Sequence, residues 1–288
     1  MIFVTGATGQ IGRELVRELG GARAPFRALV RSAGKAEAVR AAGGEAIVGD
    51  YTDPAALRTA LAGARSLFLL TPAGPDKVAV ESRIAEEAKT AGVAHIVKLS
   101  AIGADAPDPT IFARLHGQVE RRIAELGVAR TFLRPSYFMQ NYLLFAITIR
   151  AHGAIFAAAG QGRHADVDVR DIAAVAARVL TAEGHAGRTY ALTGPEAQSL
   201  SDAARKIGKS AGREVRFVDV PPEEARKAMV AVGISEWMAD ALNDLYAAYQ
   251  RDGAANGSLV TSDVEEVLGR PARAFEPFVR ENLQAFGG

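Results

Sequence analysis

Apolar residues fall along this chain in short runs separated by longer amphipathic stretches, and that alternation predicts strands and helices in turn. Ile2-Phe3-Val4 is the first run, and Ile11, Leu15, Val16 and Leu19 then repeat at helical spacing. Phe26 to Val30 reads as a second strand and Ala46 to Val48 as a third. Asp53-Pro54 starts a helix over 54–62, because Asp accepts from orphan N–H groups and Pro suits the first helical position. Leu67-Phe68-Leu69-Leu70 is a fourth strand, its continuous apolar run suiting burial on both faces. A helix over 76–90 carries Val78, Val80, Ile84 and Ala88, and Ile96 to Leu99 is the fifth strand. A helix over 110–126 lines up Phe112, Leu115, Val119, Ile123 and Leu126, and Thr131 to Leu133 is the sixth strand. Regular alternation of this kind predicts an α/β fold with a doubly wound parallel sheet of the Rossmann type.

Beyond Pro135 the rhythm loosens. A helix is expected over 136–150, then a loop or short strand over 153–163. His164-Ala165-Asp166-Val167-Asp168-Val169 alternates polar and apolar, a spacing open to metal ligands on one strand face; Asp171, just ahead of an apolar helix over 172–180, reads instead as a helix cap, and no metal is expected. Thr189 to Leu192 is one more strand, Ser199 to Asp202 matches a capping box, and Val215 to Val218 precedes a Pro221-Pro222 break. The remainder is mostly helical, with Trp237, Met238, Leu245, Tyr246 and Tyr249 available to line a cleft. The division this suggests is a dinucleotide-binding domain over 1–192 and a smaller covering region over 193–288.

The first strand runs straight into Thr5-Gly6-Ala7-Thr8-Gly9-Gln10-Ile11-Gly12, a G-x-x-G-x-x-G turn leading to a helix. Gly6 permits a sharp exit from the strand, Gly9 lets a pyrophosphate meet bare backbone, and Gly12 allows close packing. The helix N-terminus then offers free N–H groups and a positive dipole end to the phosphates. Cofactor choice follows from the next strand end. An acid about 20 residues beyond the glycines selects NAD, whereas Arg accommodates a 2′-phosphate. Here Arg31, Ser32 and Lys35 stand at that end with no carboxylate before Glu37, so NADP(H) is the expected cofactor. Ligands of doubly wound sheets bind outside the carboxyl ends of the strands. Asp50-Tyr51, Thr71-Pro72, Ser100 and Pro135-Ser136-Tyr137 therefore join the glycine turn as one candidate crevice.

Composition narrows the partners. Thirty-four basic residues face thirty-three acidic ones, leaving no excess charge for nucleic acid. Cysteine is absent, which removes disulfides and thiolate catalysis. A strand beginning at Ile2 leaves no room for a leader, and no apolar run reaches the roughly 20 residues that cross a bilayer. A soluble cytoplasmic protein that does not bind membranes is expected, acting on a small-molecule electron acceptor, with a homodimer among the assemblies allowed.

Thr5 to Gly12, Leu29-Val30-Arg31, Gly49-Asp50-Tyr51 and Leu133-Arg134-Pro135 with Phe138-Met139-Gln140-Asn141 together resemble the NmrA-like, atypical short-chain dehydrogenase/reductases. The nearest character is that of their NADPH-dependent quinone and triphenylmethane-dye reductases. The resemblance implies that Gly6, Thr8, Gly9, Gln10, Ile11 and Gly12 meet the diphosphate, Arg31 the 2′-phosphate, Asp50 and Tyr51 the adenine side, and Thr71 and Pro72 the ribose side. The Tyr-x-x-x-Lys pair of the wider family is replaced by Phe112 and His116, and no tyrosine here has a lysine four residues on. His116 falls where isoflavone-type reductases carry a lysine, so it becomes a candidate to orient ribose or donate a proton, alongside Ser100 and Tyr137 at neighbouring strand ends. Flat, electron-poor acceptors such as quinones or dyes take hydride without a strong protein acid, which suits the missing pair. The alternative implied by the family's regulators is a non-catalytic NADP-binding sensor.

One outcome is expected from the residues alone: NADPH binds more tightly than NADH, and Arg31→Ala removes most of a difference of roughly 10- to 100-fold, the worth of one charge-assisted phosphate contact. Fluorescence titration of both cofactors measures it, and equal affinities in the parent protein refute it.

Overall fold

In a computed structural model, residues 1–251 and 257–288 are described. The first strands are β1 (Ile2–Val4), β2 (Phe26–Val30), β3 (Glu45–Val48), β4 (Ser66–Leu69), β5 (His95–Leu99) and β6 (Ala129–Pro135). They alternate with helices α1 (Gln10–Gly21), α2 (Ala33–Ala41), α3 (Pro54–Leu61), α4 (Lys77–Thr90) and α5 (Ile111–Glu125). After a 3-10 turn over Met139–Phe145 come α6 (Ala146–His152), β7 (Ala154–Ala157), β8 (Arg163–His164), α7 (Val169–Thr181), β9 (Thr189–Leu192) and β10 (Gln198–Ser199). The remainder holds α8 (Leu200–Ala211), β11 (Arg216–Asp219), α9 (Pro222–Ala231), α10 (Glu236–Arg251), α11 (Asp263–Leu268), α12 (Phe275–Glu281) and α13 (Leu283–Phe286).

Seven strands form one parallel sheet in the order β3-β2-β1-β4-β5-β6-β9, the doubly wound arrangement with its reversal between β1 and β4. The central strands are apolar on both sides because helices cover both faces. Phe3, Leu67, Leu69 and Ile96 face the core under α3, α4 and α5, while Val4, Phe68, Val97 and Leu133 face α1 and α7. Thr5 ties the reversal point together: its N–H reaches Phe68 O at 3.1 Å and its hydroxyl accepts from Leu70 N at 2.8 Å. No described helix is long and apolar enough to cross a membrane.

A third apolar core draws on residues from both sides of position 193. Tyr137, Met139, Tyr142, Ile149 and Ile155 pack there with Leu200, Ile207, Tyr246, Phe275 and Phe286, so the segment between β6 and α7 contributes to it. Conversely, Val264 of α11 returns to the core between the sheet and α7. The chain thus passes more than once between the cores beside the sheet and this third core.

Two expectations are corrected. The stretch 136–150 is not one helix. Val167 N–H donates to Tyr137 O at 2.8 Å and Met139 N–H to Val167 O at 3.0 Å, and this pairing keeps residues 136–138 extended until the 3-10 turn. Asp171 is not the cap of α7. Asp168 holds that place, its carboxylate accepting from Arg170 N–H at 2.9 Å, and Asp171 sits fully buried inside the first turn. There it binds Arg270 Nη2 at 2.8 Å, Arg273 N–H at 2.7 Å and the Arg273 guanidinium, clamping the C-terminal segment to the sheet-covering helix. The capping box at Ser199 and Asp202 forms as its spacing indicates.

Removing that carboxylate breaks several partly buried hydrogen bonds to a charged group, so Asp171→Ala is expected to destabilise the fold by about 2 kcal/mol. Arg122→Ala, which breaks an exposed pair to Glu125, is expected to change it by less than about 0.5 kcal/mol. Urea denaturation decides between them: equal midpoints for the two variants contradict the clamp.

Candidate functional site

The glycine turn leaves β1 with Gly6 at φ +66° and folds back so that Gly9 N–H bonds Gly6 O at 3.0 Å. A Cβ on Gly12 would stand 2.0 Å from Gly6 O and 2.7 Å from Ala7 Cα, so the third glycine is needed for the helix to sit on the turn's own backbone. Gly9 is the N-cap of α1 and supplies no side-chain capping bond, which leaves the first N–H groups of the helix unpaired by side chains. Gly9 and Gln10 are exposed, Thr8 is half-buried, and Ile11 is turned into the core, so only its backbone faces outward. A bare, glycine-lined helix N-terminus of this kind fits a pyrophosphate.

Strand order places the other candidates in a row along the same edge. Arg31 follows β2 and Asp50-Tyr51 follow β3 on one side of the turn; Thr71 follows β4, Ser100 follows β5 and Ser136-Tyr137 follow β6 on the other. From β2 to β5 there are three strand steps, roughly 15 Å. Arg31, Lys35 and Pro72 are exposed. Asp50 is folded into its own turn, accepting from Thr52 N–H at 2.8 Å and Thr52 Oγ1 at 2.7 Å, and these bonds hold its carboxyl below the usual range. The Tyr51 carbonyl accepts from Arg83 Nη2 at 2.8 Å, while burial raises its phenol above the ordinary value. Pro135, buried at the end of β6, accepts from Ile102 N–H at 3.0 Å and so anchors the loop after β5.

The β4–β6 end of the row is built from two ionic rungs between the sheet and helices α4 and α5. Lys98 and Ser100 are two residues apart and share a face of the sheet, while His116 and Glu120 are one turn apart and share a face of α5. The first rung joins Lys98 Nζ to Glu81 Oε2 at 3.0 Å and to His116 Nδ1 at 3.1 Å. Glu81 also receives Lys77 Nζ at 2.9 Å and the Thr71 hydroxyl at 2.8 Å, so Thr71 is committed to this cluster. In the second rung the Ser100 hydroxyl donates to Glu120, whose carboxylate is gripped by Arg134 Nε at 2.9 Å and Nη2 at 2.6 Å. Asp105 completes it from the loop, 2.6 Å from Arg134 Nη1. Burial pushes the Lys98 ammonium down to about 8, against the pull of Glu81. Burial raises the Glu81 carboxyl, but Lys98 and Lys77 outweigh it and hold it below the usual range.

Of the three candidate catalytic groups, His116 alone keeps a heteroatom unpaired among the described residues, at Nε2. Tyr137 is buried, its hydroxyl 3.0 Å from that of Tyr246, and burial raises its phenol far above the ordinary value. It ties the β6 end to α10 and acts there as a wall. His164 lies beside it, its ring 4.5 Å from that of Tyr137, with Nδ1 bonded to Asp166. Helix α10 roofs the crevice: Asp244 accepts from Ile111 N–H at 2.6 Å, and Trp237 meets Phe112 edge-on at 5.8 Å. The seam between them, lined by Ile102, Pro109, Leu245 and Tyr249, encloses about 20 Å³.

Lys98, Glu81, Lys77, Glu120 and Asp105 were not legible as site residues. One signal existed for two of them. Lys98 interrupts an apolar run, Ile96-Val97-Lys98-Leu99, in a strand destined for burial, and Glu120 follows His116 by one helical turn. A charge at such a place needs a partner, and perturbed buried charges cluster at functional sites.

Known proteins resemble this chain over nearly its whole length. The NmrA-like family model matches residues 1–281. An NAD(P)H azoreductase of Xenophilus azovorans is 42% identical over 287 residues, covering 100% of this chain and 99% of the relative. The fold superposes with a TM-score of 0.87 on an NADPH-dependent quinone oxidoreductase of Escherichia coli solved with NADPH, at 33% identity and covering 98% and 99% of the two chains. Triphenylmethane reductase of Citrobacter sp. in complex with NADP(H) gives a TM-score of 0.85 at 27% identity, again over 98% and 99%. The chain belongs to the NmrA-like family.

Proposed function

We propose that this protein is an NADPH-dependent reductase of flat, electron-poor acceptors, among them quinones, azo dyes and cationic dyes. The observation that carries the proposal is the row of strand ends: an uncapped, glycine-lined helix N-terminus beside Arg31 at one side, and His116 with an unpaired Nε2 at the other. Gly6, Thr8, Gly9, Gln10, Gly12 and the Ile11 backbone hold the diphosphate of NADP(H). Arg31 and Lys35 take the 2′-phosphate, and Asp50 and Tyr51 border the adenine. Thr71, Pro72, Ser100 and Pro135 shape the ribose and nicotinamide end. The cofactor supplies hydride, and the chain supplies position, dryness and a proton.

His116 is the catalytic residue in this scheme. Burial, then the Lys98 and Lys77 charges, keep its imidazole well below the usual range, so it is neutral at pH 7 and offers one N–H to an acceptor. Ser100 and Glu120 hold the strand end beside it, and Tyr137, Leu245 and Tyr249 form apolar walls that exclude water from the hydride path. The same three reductions named in the relatives, of azo, quinone and triphenylmethane compounds, differ in chemistry but share a planar conjugated acceptor.

The test is NADPH oxidation with a panel of azo dyes, quinones and triarylmethane dyes. Turnover of at least one is expected, and His116→Ala is expected to lower kcat for an azo dye by about 10²-fold, the lower range of general-acid catalysis, with NADPH affinity unchanged. A panel without turnover, in a protein that binds NADPH, turns the assignment to a sensor instead.

A further inference from the structure

Lys98 lies in an interior strand of the sheet with none of its surface exposed. A lysine ammonium has three donors and no acceptor. Two acceptors meet Nζ here, the Leu99 carbonyl and His116 Nδ1 at 3.1 Å, and Glu81 Oε2 stands 3.0 Å away as an ion-pair partner. Because lysine only donates, Nδ1 of His116 must accept, and the single proton of the neutral ring sits on Nε2. That Nε2 has no partner among the described residues, and the residue as a whole is half-buried. Glu81 and Lys98, paired by charge, therefore lead from the core to His116, whose Nε2–H has no partner among the described residues.

The charges around this path bias it to release a proton. Two ammoniums, Lys77 and Lys98, meet one carboxylate, Glu81, in a space closed to water, so the trio carries one net positive charge. Glu120 faces Lys98 from α5 but is already gripped by Arg134. A buried excess charge is costly, and it is relieved when one proton leaves. Lys77 and Glu81 come from α4, Lys98 from β5, and His116 and Glu120 from α5.

We propose that Lys98 is the proton store for this site, a positioning residue that fixes the tautomer of His116 and reloads it during reduction of neutral acceptors. The inference rests on the function proposed above. In azo reduction, hydride adds to one nitrogen and leaves negative charge on the other. The His116 Nε2–H bond breaks as the second N–H bond forms on the acceptor. At the same time an Nζ–H bond of Lys98 breaks and an Nδ1–H bond forms. His116 ends neutral in its other tautomer, Lys98 ends as a neutral amine, and no imidazolium is left in the buried site. A solvent proton entering at Nε2, with the Nδ1 proton returning to Lys98, restores the start. A cationic triarylmethane dye needs none of this, because hydride on its central carbon gives a neutral product with no proton taken up.

The two acceptor classes make the test. For Lys98→Met, the ratio of azo-dye to cationic-dye turnover is expected to fall about 10²-fold relative to the parent protein, the scale of a lost general acid. The parent's azo-dye kcat is expected to decline as pH rises through about 8, as the Lys98 ammonium is lost, while its cationic-dye kcat does not follow that titration. A third readout needs neither turnover nor the variant: nitrogen NMR of the protein without cofactor should show His116 neutral at pH 7, protonated at Nε2 and bare at Nδ1. Equal losses for both dyes in Lys98→Met, matching pH profiles for both dyes, or a proton on Nδ1 each overturn the proposal. A parent protein that reduces neither dye overturns the proposed function itself, whatever the NMR shows.

Discussion

The contact on which the crevice depends is between backbone and backbone, where Gly12 of α1 rests on Gly6 and Ala7 of the turn. A methyl group at Gly12 would stand 2.0 Å from the Gly6 carbonyl, so the seat of the helix exists only without one. That seat aims the N-terminus of α1 along the C-terminal edge of β1, beside the reversal of strand order. Thr5 locks the same point from the other side by bonding to Leu70. The proposed phosphate seat thus rests on a steric constraint on three residues and on an uncapped helix end.

Electrostatics governs the opposite end of the crevice. Charges placed between a sheet and its covering helices are poor investments for stability, since desolvation offsets their attraction. Yet two such rungs stand side by side here, Glu81–Lys98–His116 and Ser100–Glu120–Arg134, both reaching the strand ends where an acceptor would lie. Their geometry follows from simple periodicities. Two residues along a strand and four along a helix return to the same face, so neighbouring pairs meet across the interface. The His116 imidazole stands 3.1 Å from a buried lysine, the contact on which the proposed proton path rests.

The covering region is fastened to this end at several levels. Asp244 bonds the start of α5, Tyr246 meets Tyr137 at the end of β6, and Asp171 holds the C-terminal segment against α7. The seam under α10 encloses only about 20 Å³, room for one water molecule.

The alternation of apolar runs with amphipathic stretches determined the sheet, its parallel sense and the helices on both faces, because periodicity is a local property that burial then enforces. The glycine turn, Arg31 and the strand-end row were legible for the same reason: each depends on sequence spacing or on the end of a strand. His116 was legible through its place four residues after Phe112. The partner of its Nδ1 was not, since Lys98 is eighteen residues away in sequence and 3.1 Å away in space. Nor did local pattern reveal that residues 136–138 stay extended, that Asp168 rather than Asp171 caps α7, or that Thr71 serves Glu81. Each of these was decided by a partner distant in the chain or by the exact start of an element. Pairing of backbone and charge across the folded core, which no window of sequence contains, is what the tertiary structure alone supplied.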